Sequence, residues 1–220
     1  MNRYNKVIYE KSNNSYDKKF IEYIIKNYFN KPGSILDIGC GNGKHLDIFN
    51  MYGFYTYGID IRKQKQEYIK TCNIETDKIP FDNNRFDYIF SKSLFEHILR
   101  ADNAIEECYR VLKPNGKIII IVPEWLSQMK HYWDDYTHLH PWTYKSLKDL
   151  LMIYNFRDVK CEIFYQLPFV WKHPNLRFIP KLVSILPQQF KWKNKEMRNG
   201  DDRKLIRFSK ERMLLGYGIK

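Results

Sequence analysis

The chain is 220 residues long, carries a formal net charge of +12 and has four cysteines. No two cysteines form a Cys-x-x-Cys pair, which argues against a zinc knuckle and against a disulfide framework. The sequence contains no run of about 18 apolar residues and its first residues are polar, which argues against a membrane-spanning helix and a secretory signal. We therefore expect a single α/β domain over residues 1–220 in a reducing cytoplasm.

The first predicted element is a helix inside an N-terminal helical segment of residues 1–30. Apolar residues recur at intervals of three and four between positions 20 and 29, which predicts a helix over 16–30 with one apolar face. The Lys-Pro-Gly sequence at 31–33 ends this helix.

The first predicted strand, over 34–38, runs into a turn with glycine at every second position: Gly39, Gly41 and Gly43. Glycine tolerates positive φ and has no Cβ, so backbone amides in such a turn can approach a ligand closely. The following residues, 44–50, predict a short helix whose amino end faces that ligand. A glycine-rich turn alone also fits a purely structural loop, and the residues that follow decide between the two interpretations.

The second predicted strand, over 54–59, leads into Asp60, which lies about 20 residues after the glycine turn. This spacing is typical of a βαβ unit that binds a nucleotide. A carboxylate at the strand end can accept hydrogen bonds from both ribose hydroxyls of an adenosine-containing ligand. The sequence therefore predicts a nucleotide site between the glycine turn and Asp60.

The remaining elements continue the alternation of strands and helices. Further strands are predicted over 68–72, 86–90, 117–122, 159–165 and 213–219, and further helices over 62–67, 102–112 and 143–154. Parallel strands with crossover helices imply a doubly wound sheet.

Several sequence blocks, in this order, resemble the class I S-adenosylmethionine-dependent methyltransferases, in particular a small single-domain subfamily. The blocks are ILDIGCGNG at 35–43, and residues 79–89, 91–98 and 107–116. The resemblance implies a mostly parallel, seven-stranded Rossmann-like sheet with an antiparallel last strand, S-adenosylmethionine as cofactor, and methyl transfer as the activity.

The same resemblance assigns a cofactor site to Asp37, Gly39, Cys40, Gly41, Asp60, Ile61, Asn73, Ile74 and Ser91. Asp37 and the glycines would line the methionine end, Asp60 would hold the ribose, and Ser91 would begin the segment beneath the sulfonium. Asn73 departs from the family pattern, which usually has an Asp facing the amino group of adenine. An Asn side chain still offers a carbonyl acceptor to that amino group.

Residues 131–143 contain half of the chain's six histidines. Methyl transfer to an oxygen requires removal of its proton, and histidine is the usual residue for this step. We predict His138 as general base, Asp135 as the residue that orients it or binds acceptor hydroxyls, and further acceptor contacts at His131, Asp134 and His140. The Asp-x-Thr-His and Pro-Trp-Thr pattern is similar to one in methyltransferases of surface-glycan and nucleotide-sugar pathways, which implies O-methylation of a sugar.

Other interpretations of these residues stay open. The Asp and His residues could cap the helix that follows, or Asp134, Asp135 and His138 could bind a divalent metal. Their spacing matches no recognised metal motif, so no metal is predicted. Glu96 and His97 could form an acid/base pair, but we favour structural support of their loop.

A helical, basic insertion is predicted over 167–210, before the last strand. Residues 172–220 carry 13 of the 37 Lys and Arg but only 4 of the 25 Asp and Glu. We expect a lid, with Arg177 binding an anionic nucleotide-sugar, or a contact between identical subunits; a peripheral membrane contact ranks below these, and nucleic acid last.

An amino-sugar N-methyltransferase, an RNA methyltransferase and a catalytically silent cofactor-binding scaffold remain alternative functions.

Overall fold

The structure is a computed structural model that describes residues 14–187, 190 and 204–220. Its single sheet contains β1 Ser34–Ile38, β2 Tyr55–Asp60, β3 Ile69–Thr71, β4 Phe86–Lys92, β5 Leu112–Pro123, β6 Arg157–Phe164 and β7 Met213–Ile219. The strands lie in the order β3-β2-β1-β4-β5-β7-β6. Strand β7 is antiparallel to both of its neighbours, and the other pairs are parallel. The predicted seven-stranded, Rossmann-like sheet with an antiparallel last strand is confirmed.

Helices lie on both faces of the sheet. They are α1 Asn14–Ile24, which continues as a π-helical turn over Ile25–Phe29, α2 Lys44–Met51, α3 Ala101–Val111, α4 Trp125–Gln128, α5 Tyr144–Ile153, α6 Pro168–Lys172, α7 Phe178–Val183 and α8 Lys204–Lys210. Short 3₁₀ turns cover Phe95–His97, Tyr132–Asp134 and Pro174–Arg177. Within the described part of the chain, no helix has the length and apolar character needed to cross a bilayer.

The core consists of two apolar layers, one on each face of the sheet. In β5, Ile118 and Ile120 pack into the layer that α3 and α5 cover, whereas Ile119 and Ile121 pack into the layer under α1 and α2. A strand covered on both faces needs apolar residues at successive positions, which explains the uninterrupted run of isoleucines. This double covering leaves the carboxyl ends of the parallel strands as the place where polar side chains can gather.

The prediction of a helix over 62–67 is wrong, because these residues form turns and bends before the short strand β3. The segment Arg62-Lys-Gln-Lys-Gln-Glu contains no apolar residue, so a helix here would have no face to bury against the sheet. In the basic insertion, the lysine-rich residues 191–195 lie outside the described residues. The division into a single domain, and the insertion's role as lid, membrane contact or subunit contact, stay predictions.

A partly buried ion pair on α3 holds the segment that precedes β4. Arg110 donates from Nε and Nη2 to the two carboxylate oxygens of Glu107, at 2.8 and 2.6 Å. The backbone N–H of Ile79 donates to the same carboxylate at 2.7 Å, and Arg110 also donates to the carbonyl of Phe81 at 3.0 Å. The hydrogen bond from Arg110 lowers the pKa of Glu107, although burial opposes the shift.

We expect Glu107→Gln to lower the free energy of unfolding by about 2 kcal/mol at pH 7, because it breaks a charged, hydrogen-bonded pair. The folded-state pKa of Glu107 lies below its unfolded value of 4.5, so its contribution is present above that pH and is lost as pH falls through the folded-state pKa. In urea unfolding, the difference in the free energy of unfolding between wild type and variant should therefore become smaller below about pH 4. Glu106→Gln, at an exposed neighbour, is the control and should change stability by less than about 0.5 kcal/mol. A difference that persists undiminished in acid would contradict the assignment.

Candidate active site

The glycine turn follows β1 directly and has the predicted backbone. Gly39, Gly41 and Gly43 have φ angles of +74°, +59° and +82°, a region that other residues adopt only with strain. A Cβ on Gly39 would lie 3.0 Å from the Leu94 side chain, so this position also lacks room for a larger residue. Helix α2 begins at the next residue, Lys44. The backbone N–H groups of Gly39 and Cys40 donate to Ile59 of β2, and that of Gly43 donates to Cys40, so hydrogen bonds hold the turn at the carboxyl end of β1.

Asp37, near the end of β1, is a buried carboxylate whose Oδ2 has no hydrogen-bond partner among the described residues. Burial, with the neighbouring Asp60 as second cause, raises the pKa of Asp37 well above its usual range, and Lys92 opposes the shift. The nearest ring nitrogen, Nδ1 of His45, is 4.0 Å away. Burial lowers the pKa of His45 to about 3, so this ring is neutral. The unpartnered oxygen thus fits a cationic group of a ligand.

Asp60 ends β2 and faces the glycine turn. Its Oδ2 accepts a hydrogen bond of 2.9 Å from the backbone N–H of Gly41. Its Oδ1 accepts from the backbone N–H and from the Nε of Arg62, at 3.0 and 2.8 Å. This contact of Arg62 was not predicted, because a side chain that folds back onto the residue two positions earlier produces no periodic sequence pattern.

The other predicted cofactor residues differ in burial and in hydrogen bonding. Ser91, at the end of β4, is buried and donates to the carbonyl of Ile38 at 3.0 Å, which joins β4 to β1. Asn73 accepts at Oδ1 from the backbone N–H of Glu75 at 3.2 Å. Ile61 is exposed, whereas Cys40 and Ile74 are buried.

The histidine-rich loop, residues 131–143, is attached to the 3₁₀ turn after β4. The carbonyl of Glu96 accepts from the backbone N–H groups of Leu139 and His140, at 2.7 and 3.1 Å. The indole N–H of Trp142 donates to the carbonyl of Phe95 at 3.0 Å. These contacts bring the ring of His138 to the 3₁₀ turn that carries Glu96 and His97.

Glu96, His97 and His138 form a group that we call the Glu–His cluster. One ligand atom from each of the three side chains lies within 4.8 Å of the others, and the two imidazole centroids are 4.8 Å apart. Glu96 is 1% exposed and its Oε2 has no hydrogen-bond partner among the described residues. Burial raises the pKa of Glu96 to about 8, against the opposing effects of a backbone hydrogen bond and of Lys92.

Both imidazoles of the cluster are oriented by backbone carbonyls. Nδ1 of His97 lies 3.2 Å from the carbonyl oxygen of Thr137, and Nδ1 of His138 lies 2.8 Å from that of Tyr132. A carbonyl oxygen only accepts, and the Thr137 hydroxyl, 3.0 Å from Nδ1 of His97, donates its proton to Asp135. In the neutral rings Nδ1 is therefore the donor, and each Nε2 keeps a lone pair. The Nε2 of His138 lies 3.7 Å from Oδ2 of Asp135.

Lys92 connects the two halves of the site electrostatically. Burial lowers its pKa, while both Glu96 and Asp37 oppose that shift. The lysine is the last residue of β4, and no role was predicted for it. The one sequence feature that pointed to a role in the site is its position at the carboxyl end of a central strand.

The side chains of the other predicted acceptor residues have partners outside the Glu–His cluster. His131 pairs with Asp134 at 3.2 Å, and His140 stacks on Trp142 with the ring centroids 4.1 Å apart. Arg177 pairs with Glu162 on β6 at 3.5 Å. Their substrate-binding roles stay predictions.

The N-cap of α5 is Thr143 rather than an Asp or His of the loop. Its side chain accepts from the backbone N–H of Ser146 at 3.1 Å, and the Ser146 hydroxyl oxygen accepts from the backbone N–H of Thr143 at 2.9 Å. Asp135 instead accepts from the backbone N–H and the hydroxyl of Thr137, at 3.0 and 2.6 Å. The interpretation of Asp135 and His138 as caps of α5 is therefore wrong.

Comparison with known proteins gives a family for residues 11–160, which match a family model described as a methyltransferase domain. Phosphoethanolamine N-methyltransferase 2 of Caenorhabditis elegans is 27% identical over 57% of this chain and 32% of its own length. A probable tRNA methyltransferase 9B of Bos taurus is 33% identical over 51% of this chain and 26% of its own length. The chain thus spans about a third or less of these curated relatives.

Among solved structures, a SAM-dependent methyltransferase from Archaeoglobus fulgidus aligns with a TM-score of 0.67 over 95% of both chains. The two sequences are 19% identical. This likeness therefore concerns the fold.

Proposed function

This chain belongs to the methyltransferase domain family, and from that premise we propose that it transfers a methyl group from S-adenosylmethionine to a small-molecule acceptor. The proposal is carried by the buried, unpartnered Oδ2 of Asp37 beside a turn of left-handed glycines. A buried carboxylate oxygen needs a donor, and the ammonium group at the amino-acid end of S-adenosylmethionine can supply it. The residues at this site therefore fit the cofactor.

Each cofactor residue has a defined task in this proposal. When bound, S-adenosylmethionine supplies an electrophilic methyl group on a positively charged sulfur. Asp37 would accept from its ammonium group, and Asp60 would accept from the ribose hydroxyls once Arg62 has turned away from the carboxylate. Ile61 would border the adenine, with Asn73 as the acceptor for its amino group. The chain's own contribution is alignment of the reactants and exclusion of water.

The acceptor that we propose is a hydroxyl group of a sugar, in a nucleotide-sugar or a surface glycan. A sugar hydroxyl must lose its proton as it attacks, and this requires a nearby lone pair. The Nε2 of His138 supplies that lone pair when no cation occupies the cluster, because Nδ1 is held by the carbonyl of Tyr132. Asp135, whose Oδ2 lies 3.7 Å from Nε2, would stabilise the imidazolium once Nε2 has taken the proton.

Two measurements test the proposal. Calorimetric titration with S-adenosylmethionine tests the cofactor site, and transfer of a labelled methyl group tests the acceptor. Nucleotide-sugars, amino sugars, phosphoethanolamine and tRNA should be compared side by side, with methylated nucleotide-sugar as the expected product. Transfer only to another acceptor would overturn the sugar assignment but leave the methyltransferase assignment intact. Absence of cofactor binding would overturn both.

A further inference from the structure

We propose that Glu96, His97 and His138 form a binding site for one divalent transition-metal cation, such as Zn²⁺, Co²⁺ or Mn²⁺. The catalytic meaning of this site, though not its existence, rests on the proposed function, because the cation would lie where the acceptor hydroxyl is activated. The alternative metal site considered from the sequence consists of Asp134, Asp135 and His138. The structure instead gathers residues from two distant parts of the chain.

The potential ligand atoms of the three side chains lie close together. One nitrogen or oxygen from each of Glu96, His97 and His138 lies within 4.8 Å of the other two. Ligands at roughly 2.0–2.2 Å from a cation lie about 3–3.5 Å from one another. Side-chain movements of about 1 Å therefore suffice to close the three groups around an ion.

Both imidazoles keep the lone pair on the same ring nitrogen, Nε2. The contacts of Nδ1 with Thr137 O at 3.2 Å and with Tyr132 O at 2.8 Å leave Nε2 as the lone-pair nitrogen on both rings. Each Nε2 faces a carboxylate, at 4.0 Å from Glu96 in His97 and at 3.7 Å from Asp135 in His138. A metal-binding histidine characteristically donates its other N–H to a carbonyl or carboxylate, which fixes the tautomer and the ring.

Glu96 has a buried carboxylate oxygen without a hydrogen-bond partner among the described residues. This side chain is 1% exposed, and its Oε2 makes no hydrogen bond to any described residue. Lys92 interacts with Glu96 through space, yet the two form no ion pair within the described part of the chain. A buried carboxylate oxygen in this state is costly unless a cation or a donor satisfies it.

The ligand set selects the type of cation. Two imidazoles and one carboxylate suit Mn²⁺, Fe²⁺, Co²⁺ or Zn²⁺, whereas Mg²⁺ and Ca²⁺ prefer oxygen ligands. Three protein ligands also leave coordination positions for water or substrate, as in catalytic sites. An acceptor hydroxyl bound there would lose its proton more readily, and Asp135 beside His138 could receive that proton. His138 would then hold the cation instead of accepting the proton itself.

The test is direct binding of metal to the full chain without cofactor. Protein treated with chelator and dialysed is titrated with Zn²⁺ by calorimetry and with Co²⁺ by visible absorption, which reports the ligands. We expect one equivalent to bind, and we expect Glu96→Gln and His97→Ala each to weaken binding by about 100-fold or more. Glu162→Gln is the control and should bind metal as wild type does, because Glu162 lies on β6 and its side chain pairs with Arg177. Thermal unfolding of each variant verifies that it is folded.

Two outcomes overturn the metal site: no binding to the folded wild type, or binding that Glu96→Gln and His97→Ala leave unchanged. Titration of the same preparations with S-adenosylmethionine separates this proposal from the proposed function. Cofactor binding without metal binding would refute only the metal site. Metal binding without cofactor binding would refute only the proposed methyl transfer. If Mg²⁺ bound as tightly as Zn²⁺, the assignment of imidazole ligands would be refuted.

Discussion

Asp37→Asn is expected to weaken the binding of S-adenosylmethionine by about 100-fold, equivalent to about 2.7 kcal/mol. The substitution keeps the shape of the side chain and removes the charge that would face the ligand's ammonium group, and charge-assisted hydrogen bonds are the strong ones. Calorimetry with S-adenosylmethionine and with S-adenosylhomocysteine measures the loss. Both ligands carry the same amino-acid end, so both should lose affinity to a similar extent.

The same substitution should raise the melting temperature of the ligand-free protein. The carboxylate of Asp37 is 2% exposed, one of its oxygens is unpartnered and Asp60 lies nearby, so removing its charge relieves a destabilising burial. Such an opposition between stability and ligand binding is common at functional sites. Asp149→Asn, at a residue that pairs with Lys145 on α5, is the control for both measurements. Unchanged cofactor affinity in Asp37→Asn would remove Asp37 from the proposed cofactor site.

His138→Ala is expected to reduce methyl transfer by about 10²- to 10⁴-fold, the usual contribution of a positioned acid or base. Cofactor affinity should change by less than about threefold, because the ring of His138 contacts His97 and Tyr132 rather than the glycine turn. Single-turnover transfer from labelled cofactor measures the chemical step apart from product release. His173→Ala, at an exposed position after α6, should retain wild-type activity.

Added imidazole separates the two ways in which His138 could act. If the side chain accepts the proton, exogenous imidazole should restore part of the activity of His138→Ala in the presence of chelator. If the side chain holds a cation, chelator should already inactivate the wild type, and added Zn²⁺ or Mn²⁺ should restore it. Full activity of His138→Ala under both conditions would exclude both roles.

The sequence predicted best those features that depend on local chemistry. The glycine turn is such a case, because φ angles of +59° to +82° at alternate residues can be read from the glycines themselves. The strand over Ile118–Ile121 is another, because a sheet covered on both faces needs consecutive apolar residues. The prediction of a helix over 62–67 was wrong because that segment has no apolar face to pack against the sheet.

The contacts within the candidate active site were predicted less completely than the conformation of its glycine turn. His138 stood out in a histidine-rich loop, but its neighbour His97 lies about 40 residues earlier, and only tertiary hydrogen bonds bring them together. Lys92 was missed because a single lysine at a strand end has no distinctive pattern. Arg177 was expected near an anionic acceptor, and its pairing with Glu162 across 15 residues of chain could not be read from local sequence.

The attachment of the histidine-rich loop has an evolutionary consequence. The backbone carbonyls of Phe95 and Glu96 accept the hydrogen bonds that hold Leu139, His140 and Trp142 in place. Two of these three donors are themselves backbone N–H groups, so most of the tether does not depend on which side chains the loop or residue 96 carries. Exposed loop positions such as Trp133 and Tyr136 can therefore change while the loop keeps its attachment to the 3₁₀ turn after β4. The exposed surface of the loop is thus open to variation in sequence that the tether itself does not limit.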